Sequence, residues 1–259
     1  MNRLVIFGAV FVLSFPLFAE PGLGLDITTG MDFLAETGSY DLDGVLYEVP
    51  AGLSPVGFRI PLSVAYEFLP GIRGGVKAAY VIYNGDWLGS AGFTQPALEI
   101  AYTADFGLGG FLDVYFPIGT KALVGPEPEF YFDIAVFYYG DFDAFSLSTE
   151  LLYSLTFPGN DELKQDSIKI TLTPGYTPVK DLTVTMKAEF TIRFDALYHG
   201  SPLPNTCGFL FVIAPGVTYQ PVDLLELSLG IPLTLFGKMN DAYWGLNVRT
   251  TVRLSYVQQ

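Results

Sequence analysis

The residues that could carry out catalysis are few in type. The chain has one histidine, His199, with Asp195 and Ser201 close to it in sequence, and an acyl hydrolase needs such a base, acid and nucleophile. Glycine and proline follow this histidine, so a solvated loop residue is the simpler interpretation. The single cysteine, Cys207, excludes an internal disulfide and a cysteine-based metal cluster. The carboxylates are too evenly spread to indicate a catalytic pair, and we expect no enzyme activity, cofactor or metal site.

The other ionisable residues recur at alternate positions of apolar segments. Near the end of the chain, Trp244 and Leu254 share one face, whereas Arg249 and Arg253 share the other. This period of two, with one apolar and one polar face, predicts a strand in the wall of a transmembrane β-barrel. A Lys or Arg near mid-membrane on the lipid side would cost about 2–4 kcal/mol, so we expect the charges to face the lumen. The candidate lumen-lining residues, on a candidate solute path, are Arg59, Glu67, Arg73, Lys77, Glu99, Asp113, Asp133, Glu150, Lys169, Lys187, Glu189, Arg193, Glu226, Arg249 and Arg253.

The same alternation fills the chain with strand-length segments. It predicts an all-β fold, a closed antiparallel up-and-down barrel of about 12 strands, with roughly 10 to 14 as the range that the pattern allows. Tight turns are expected at residues 69–71, 104–107, 140–143, 178–181 and 220–223. Longer polar connections are expected at residues 36–54, 84–91, 119–129, 158–166 and 197–207. Short turns on the periplasmic side and long loops outside are typical of bacterial outer-membrane barrels.

Aromatic residues mark the ends of the apolar faces. Tyrosines precede the short turns or the chain end, and Trp244 lies near the opposite end of its segment. Such amphipathic rings are favoured at a membrane interface, where the ring contacts headgroups and the polar atom contacts water. We therefore predict membrane-interface positions for Tyr66, Tyr102, Tyr138, Tyr176, Tyr219, Trp244 and Tyr256.

Composition and charge restrict the class of protein. Residues 1–19 combine a positive start, an apolar run and a small final residue, which predicts a cleaved signal peptide before a barrel domain at residues 20–259. Half of the residues are hydrophobic and 15% are charged, against about 25% charged in ordinary soluble domains. The net charge of -14 argues against a nucleic-acid partner.

A soluble sandwich or lipocalin-like barrel would also show alternation. The apolar faces are long in nearly every segment, the polar faces are poor in lysine, and the tyrosines would have no role in a soluble core. These features favour the membrane barrel. The chain resembles the class of bacterial outer-membrane β-barrel proteins over its whole length after the signal, and the specific match is the terminal strand with Val252, Leu254 and Tyr256.

The resemblance implies an outer-membrane location, contact with outer-membrane lipid, and recognition of the C-terminal strand by the barrel-assembly machinery. The class often ends in Phe, whereas this chain ends Val257-Gln258-Gln259, and this departure points to a spirochaete-like rather than a proteobacterial source.

Two functions fit a lumen with charges of both signs. One is a narrow, porin-like channel for the transport of small hydrophilic solutes. The other is a plugged, surface-exposed barrel that acts as an adhesin or structural protein through its extracellular loops, with residues 36–54 as the first candidate. A lipid hydrolase using His199 is the least favoured alternative.

Overall fold

The computed structural model describes residues 24–49, 55–84, 90–120, 130–157, 163–198 and 201–255. The described residues form a closed antiparallel barrel of 12 strands, which confirms the predicted fold class. The predicted signal peptide at residues 1–19, the interface residue Tyr256 and the candidate catalytic residue His199 lie outside these ranges. No helix in the described ranges is long and apolar enough to cross a membrane.

Each strand pairs with the next one in the chain, and the last strand closes the barrel by pairing with the first. A short strand, Ser90–Phe93, pairs with the strand Ile72–Asn84, and the eleventh strand of the barrel consists of two pieces. The strands are β1 (Gly24–Tyr40), β2 (Val56–Leu69), β3 (Ile72–Asn84), β4 (Ala97–Thr103), β5 (Leu108–Tyr115), β6 (Tyr131–Phe142), β7 (Phe145–Thr156), β8 (Ser167–Val179), β9 (Leu182–Arg193), β10 (Gly208–Val222), β11 (Leu225–Gly230 and Leu233–Lys238) and β12 (Asn240–Ser255).

Tight connections join strand pairs at one end of the barrel, which we call the turn end; the opposite end is the loop end. Left-handed backbone occurs in these turns at Gly71 (φ 74°), Gly107 (φ 87°), Asp143 (φ 56°) and Asp181 (φ 68°). Glycine and aspartate tolerate this conformation better than bulky residues, and their presence at these positions explains why the turns could be predicted from the sequence.

The loop end is more ordered than the sequence indicates. The prediction of a polar connection over residues 36–54 is wrong at its start, because β1 continues to Tyr40 and Leu46–Glu48 pairs back onto it. Leu163–Lys164, Leu197–Tyr198 and Ser201–Pro202 form a small three-stranded sheet beside the barrel. Backbone N–H and C=O groups need partners wherever the chain runs, so strand pairing continues past the point where the apolar pattern ends.

A further departure is the interruption of β11, because apolar residues at every second position from Leu225 to Leu235 predict one continuous strand. Pro232 has no N–H to donate, so the strand breaks there. The backbone groups beside the break still have hydrogen-bond partners on the neighbouring strands. Gly245 N donates to Pro232 O at 2.9 Å, and Ile231 N donates to Pro215 O at 2.9 Å.

Burial identifies which face of the strands points outward. Phe58, Leu227 and Leu254, on the apolar face, are 39%, 39% and 46% exposed. The buried residues of β4, β5 and β6 lie on the polar face and include small apolar residues and carboxylates, namely Ala97, Ala101, Ala135, Glu99 and Asp113. The concave side of a closed sheet is the crowded side, so the polar face lines the lumen and the apolar face forms the outer surface.

Candidate functional site in the barrel lumen

The candidate site is the lumen, which receives every second side chain of each strand. All of the sequence-predicted lumen residues lie within the described strands, at positions that alternate with the apolar outer face. Whether they form a solute path stays a prediction. The register nevertheless brings several of them into direct contact, although they are far apart in sequence.

The best-defined cluster centres on Lys77 of β3. Its Nζ atom lies 2.7 Å from Asp113 Oδ2 on β5 and 2.5 Å from Glu99 Oε2 on β4. The other oxygen of Glu99 lies 3.2 Å from Nε of Arg73, also on β3. The Glu99 and Asp113 side chains are only 5% and 4% exposed, and these ion pairs compensate their charges where they are buried. The Lys77 ammonium also lies 5.1 Å from the centroid of the Phe111 ring, within the range of a cation–π contact.

Strand register explains why this lysine is needed. Glu99 is directly opposite Asp113, and Asp113 is directly opposite Asp133 on β6. Like charges that face each other across neighbouring strands are destabilising. Lys77 compensates the first two carboxylates, and Ser154 Oγ donates a hydrogen bond of 2.6 Å to Oδ1 of Asp133.

A second group of charges surrounds Asp26 at the turn end. The Asp26 carboxylate interacts electrostatically with Arg253, Arg73, Glu226 and Glu67. Arg253 Nη2 donates to Glu226 Oε2 at 2.6 Å, which joins β12 to β11. Together these side chains form a belt of mixed charge on the lumen wall near its turn-end mouth.

A polar cavity of about 200 Å³ opens next to this belt, and its lining includes Asp26, Glu67 and Arg73. Glu67 also accepts a hydrogen bond of 2.7 Å from the N–H of Gly71. One carboxylate of the cavity wall is thereby tied to the adjoining turn.

Two aromatic side chains narrow the lumen on the loop-end side of the Lys77 cluster. Tyr115 of β5 and Tyr131 of β6 are stacked, with ring centroids 3.8 Å apart and an interplanar angle of 12°. Arg59, on β2, is close enough to Tyr131 to interact with it electrostatically. At the turn end, Tyr139 of β6 interacts in the same way with Glu226 of β11, on the far side of the barrel.

The remaining predicted charges occupy other parts of the wall. Lys187 Nζ lies 2.7 Å from Glu189 Oε2 on the same strand, β9. Arg249 Nη1 of β12 lies 2.5 Å from Asp32 Oδ1 of β1. Glu150 lies on β7, Lys169 lies near the loop end of β8, and Arg193 ends β9.

Sequence reasoning missed an apolar cluster inside the lumen near the loop end. Tyr40, Leu210, Val212 and Ala242 pack together there, with Tyr243 against them, and the Tyr40 hydroxyl donates to Leu235 O at 3.3 Å. The sequence did contain a signal for this cluster. On the lumen face of β10, Leu210 and Val212 stand where the other strands usually have small polar residues. The lumen is therefore partly apolar as well as charged.

The interface aromatics lie at strand ends, as far as the structure describes them. Tyr66, Tyr102, Tyr138, Tyr176 and Tyr219 lie within a few residues of the turn-end connections. Near the loop end, Phe33 contacts both Phe58 and Trp244, with ring centroids 5.2 Å and 5.4 Å apart. Aromatic side chains thus occur near both ends of the outer apolar face.

Of the three candidate hydrolase residues, Asp195 has structural partners, and His199 lies outside the described residues. Asp195 Oδ1 accepts hydrogen bonds from Cys207 N at 2.9 Å and Thr206 N at 3.2 Å, which fixes the loop between β9 and β10. Within the described ranges, no group of three or more His, Cys, Asp and Glu residues could hold a metal ion.

The fold and the lumen together define a class of protein. A closed barrel with an exposed apolar band and a charged interior is a bacterial outer-membrane β-barrel, and the protein is located in the outer membrane. No protein-family model and no curated protein matches the sequence. The closed barrel and its exposed apolar surface, rather than a sequence relative, confirm the predicted class and location.

Two solved structures of outer-membrane proteins have a fold similar to that of this chain. The crystal structure of the COG4313 outer membrane channel from Pseudomonas putida F1 is similar with a TM-score of 0.76 and 12% identity, over 91% of this chain and 97% of that chain. The crystal structure of the beta domain of the Bordetella autotransporter BrkA is similar with a TM-score of 0.51 and 10% identity, over 89% of this chain and 99% of that chain. At these identities the likeness concerns the fold alone.

Proposed function

We propose that the protein is a narrow channel for small hydrophilic solutes with a mixed-charge lumen. The observation that carries the proposal is the direction of the ion pairs described above. They join residues of the same strand or of strands at most two apart: Lys77 to Glu99 and Asp113, Arg253 to Glu226, and Arg249 to Asp32. Pairs of this kind follow the wall and do not themselves bridge the lumen, which is the arrangement expected of a water-filled path.

A barrel plugged by a network of its own charges would have ion pairs that cross the lumen. Among the described residues, the approaches between distant strands include those of Arg59 to Tyr131, of Tyr139 to Glu226 and of Tyr243 to Glu189, and each involves a phenol rather than a second charge. Such approaches narrow the path without closing it electrostatically. This supports a path for small solutes rather than for large ones.

Conductance of the refolded protein in planar bilayers tests the proposal. We expect discrete steps with a linear current–voltage relation. Thr173→Trp, which adds bulk to the lumen side of β8, should lower the step size, whereas Leu172→Trp, on the outer side of the same strand, should leave it unchanged. Silent bilayers, or equal effects of the two substitutions, would contradict the channel.

A second candidate function rests on one exposed surface at the loop end. Val45 and Tyr47, beyond β1, are 53% and 61% exposed, and Leu42 and Leu46 are exposed beside them. Apolar side chains grouped on a surface loop are a common feature of interaction sites. An adhesin acting through residues 36–54 predicts binding to host components that is lost when residues 41–49 are deleted, together with silent bilayers.

A further inference from the structure

The three carboxylates of the lumen wall on β4, β5 and β6 are the starting observation. Glu99, Asp113 and Asp133 form one row because each is the direct cross-strand partner of the next. With the spacing of neighbouring strands, adjacent members of this row lie roughly 5 Å apart at their Cβ atoms. Without a compensating cation, this row would be a continuous negative stripe across a quarter of the wall.

Lys77 is the cation that interrupts the stripe. Its ammonium group contacts one oxygen of Asp113 and one of Glu99 at 2.7 and 2.5 Å. The second oxygen of Asp113, Oδ1, is buried and has no hydrogen-bond partner among the described residues. Asp113 therefore depends on Lys77 for its compensation, whereas Glu99 has Arg73 as a second partner.

We propose that Lys77 sets the ion selectivity of the lumen by neutralising Glu99 and Asp113. This inference rests on the proposed channel function and adds the residue that determines which ions pass. With Lys77 present, the wall at this level carries nearly balanced charge and discriminates weakly. With Lys77 removed, the stripe attracts cations and repels anions, because a one-signed wall in a narrow water-filled path concentrates its counter-ions.

The size of the effect follows from Coulomb's law. A unit charge about 6 Å from a passing ion, acting through water, changes the local concentration of that ion about threefold. The change has opposite sign for K⁺ and Cl⁻. Lys77→Met is therefore expected to raise the K⁺/Cl⁻ permeability ratio roughly tenfold.

The test is the reversal potential of single channels in a KCl gradient at pH 8, an alkaline pH that favours the ionised form of the carboxylates. Lys77→Met should shift selectivity towards K⁺, Lys77→Arg should restore it, and Asp113→Asn alone should shift it towards Cl⁻. The double variant Lys77→Met/Asp113→Asn has the same net charge as the natural lumen and should return the ratio towards the starting value. It also removes the uncompensated buried carboxylate, so it remains informative if Lys77→Met does not fold.

The matched control is Lys187→Met on β9. Among the described residues Lys187 pairs with Glu189, at 2.7 Å, and its side chain is 44% exposed. Lys77 shares a cross-strand row with Tyr115 and Tyr131, the pair that narrows the lumen, through Ala97. The control removes the same charge away from this narrow level, where a passing ion lies farther from the wall, so its shift towards K⁺ should be smaller.

The outcomes separate the inference from the function on which it rests. A wild-type channel that conducts, with Lys77→Met and Asp113→Asn leaving the permeability ratio unchanged, overturns the role of Lys77 and retains the channel. An effect of Lys187→Met as large as that of Lys77→Met also overturns it, since the lumen would then respond only to total charge. A wild-type protein without conductance overturns both.

Discussion

The orientation of the strands can be tested by placing one charge on either side of the wall at the middle of β8. Leu172 lies on the outer face and is 44% exposed, whereas its neighbour Thr171 faces the lumen. In the register, Thr171 is directly opposite Glu150 on β7 and Glu189 on β9. An arginine at position 171 therefore gains acidic neighbours, whereas an arginine at position 172 has to enter hydrocarbon.

The two substitutions are expected to change the free energy of unfolding by amounts that can be told apart. Arginine on the lipid face near the bilayer midplane costs about 2–4 kcal/mol. Because about 1.4 kcal/mol corresponds to a factor of ten, Leu172→Arg should raise the unfolding equilibrium constant by roughly 30-fold to 800-fold. Thr171→Arg should instead lower it, by at most roughly 30-fold, since each of its two cross-strand pairs of opposite charges contributes about 0.2–1 kcal/mol.

Denaturant unfolding of the two variants in phospholipid vesicles, followed by tryptophan fluorescence, measures both effects. Loss of the heat-modifiable band shift of the folded barrel on gels gives an independent readout. If Leu172→Arg were no more destabilising than Thr171→Arg, the assignment of the apolar face to lipid would be refuted, and with it the lumen as a functional site.

Two further predictions concern the connections. Gly107→Ala should lower stability by roughly 1–3 kcal/mol, because the residue has φ 87° and an added Cβ would lie 1.8 Å from Tyr139 O; denaturant unfolding measures the loss, with Gly24→Ala, where nothing lies within 4 Å, as the control. Hydrogen bonds to the Asp41 carboxylate, first that from Val45 N, hold its pKa below the ordinary value of 3.8. The stabilisation of this loop turn is therefore present above pH 3.8 and is lost as the pH falls through the lowered pKa. Carboxyl NMR titration checks the direction, and a pKa of Asp41 above 3.8 would contradict it.

Most of the fold was accessible from local sequence. Tight turns were readable because glycine and aspartate occupy the positions with left-handed backbone, as at Gly71 and Asp181. The pairing of Leu46–Glu48 with the end of β1 was not accessible, because these short segments have no periodic apolar face and their pairing satisfies only backbone groups.

The candidate site divides in the same way. Alternation indicated that residues such as Lys77 and Asp113 share a face, since a charge on the other face would have to meet hydrocarbon. It did not indicate that they touch, because their contact joins strands that are two apart and depends on the registers of β3 with β4 and of β4 with β5. The apolar cluster around Tyr40 was missed for a related reason: closure of the barrel places β1 near β10, which is distant in sequence.

The sequence by itself determined which side of each strand meets lipid, because the cost of moving a charged or apolar side chain between water and hydrocarbon is a property of that residue and its immediate neighbours. Only the tertiary structure decided which charges neutralise one another and where the lumen narrows. Those features depend on cross-strand register and on closure of β12 onto β1. Both arise from backbone hydrogen bonds between strands that are distant in the chain, as in the pairing of Asp26 with Arg253, which are more than two hundred positions apart.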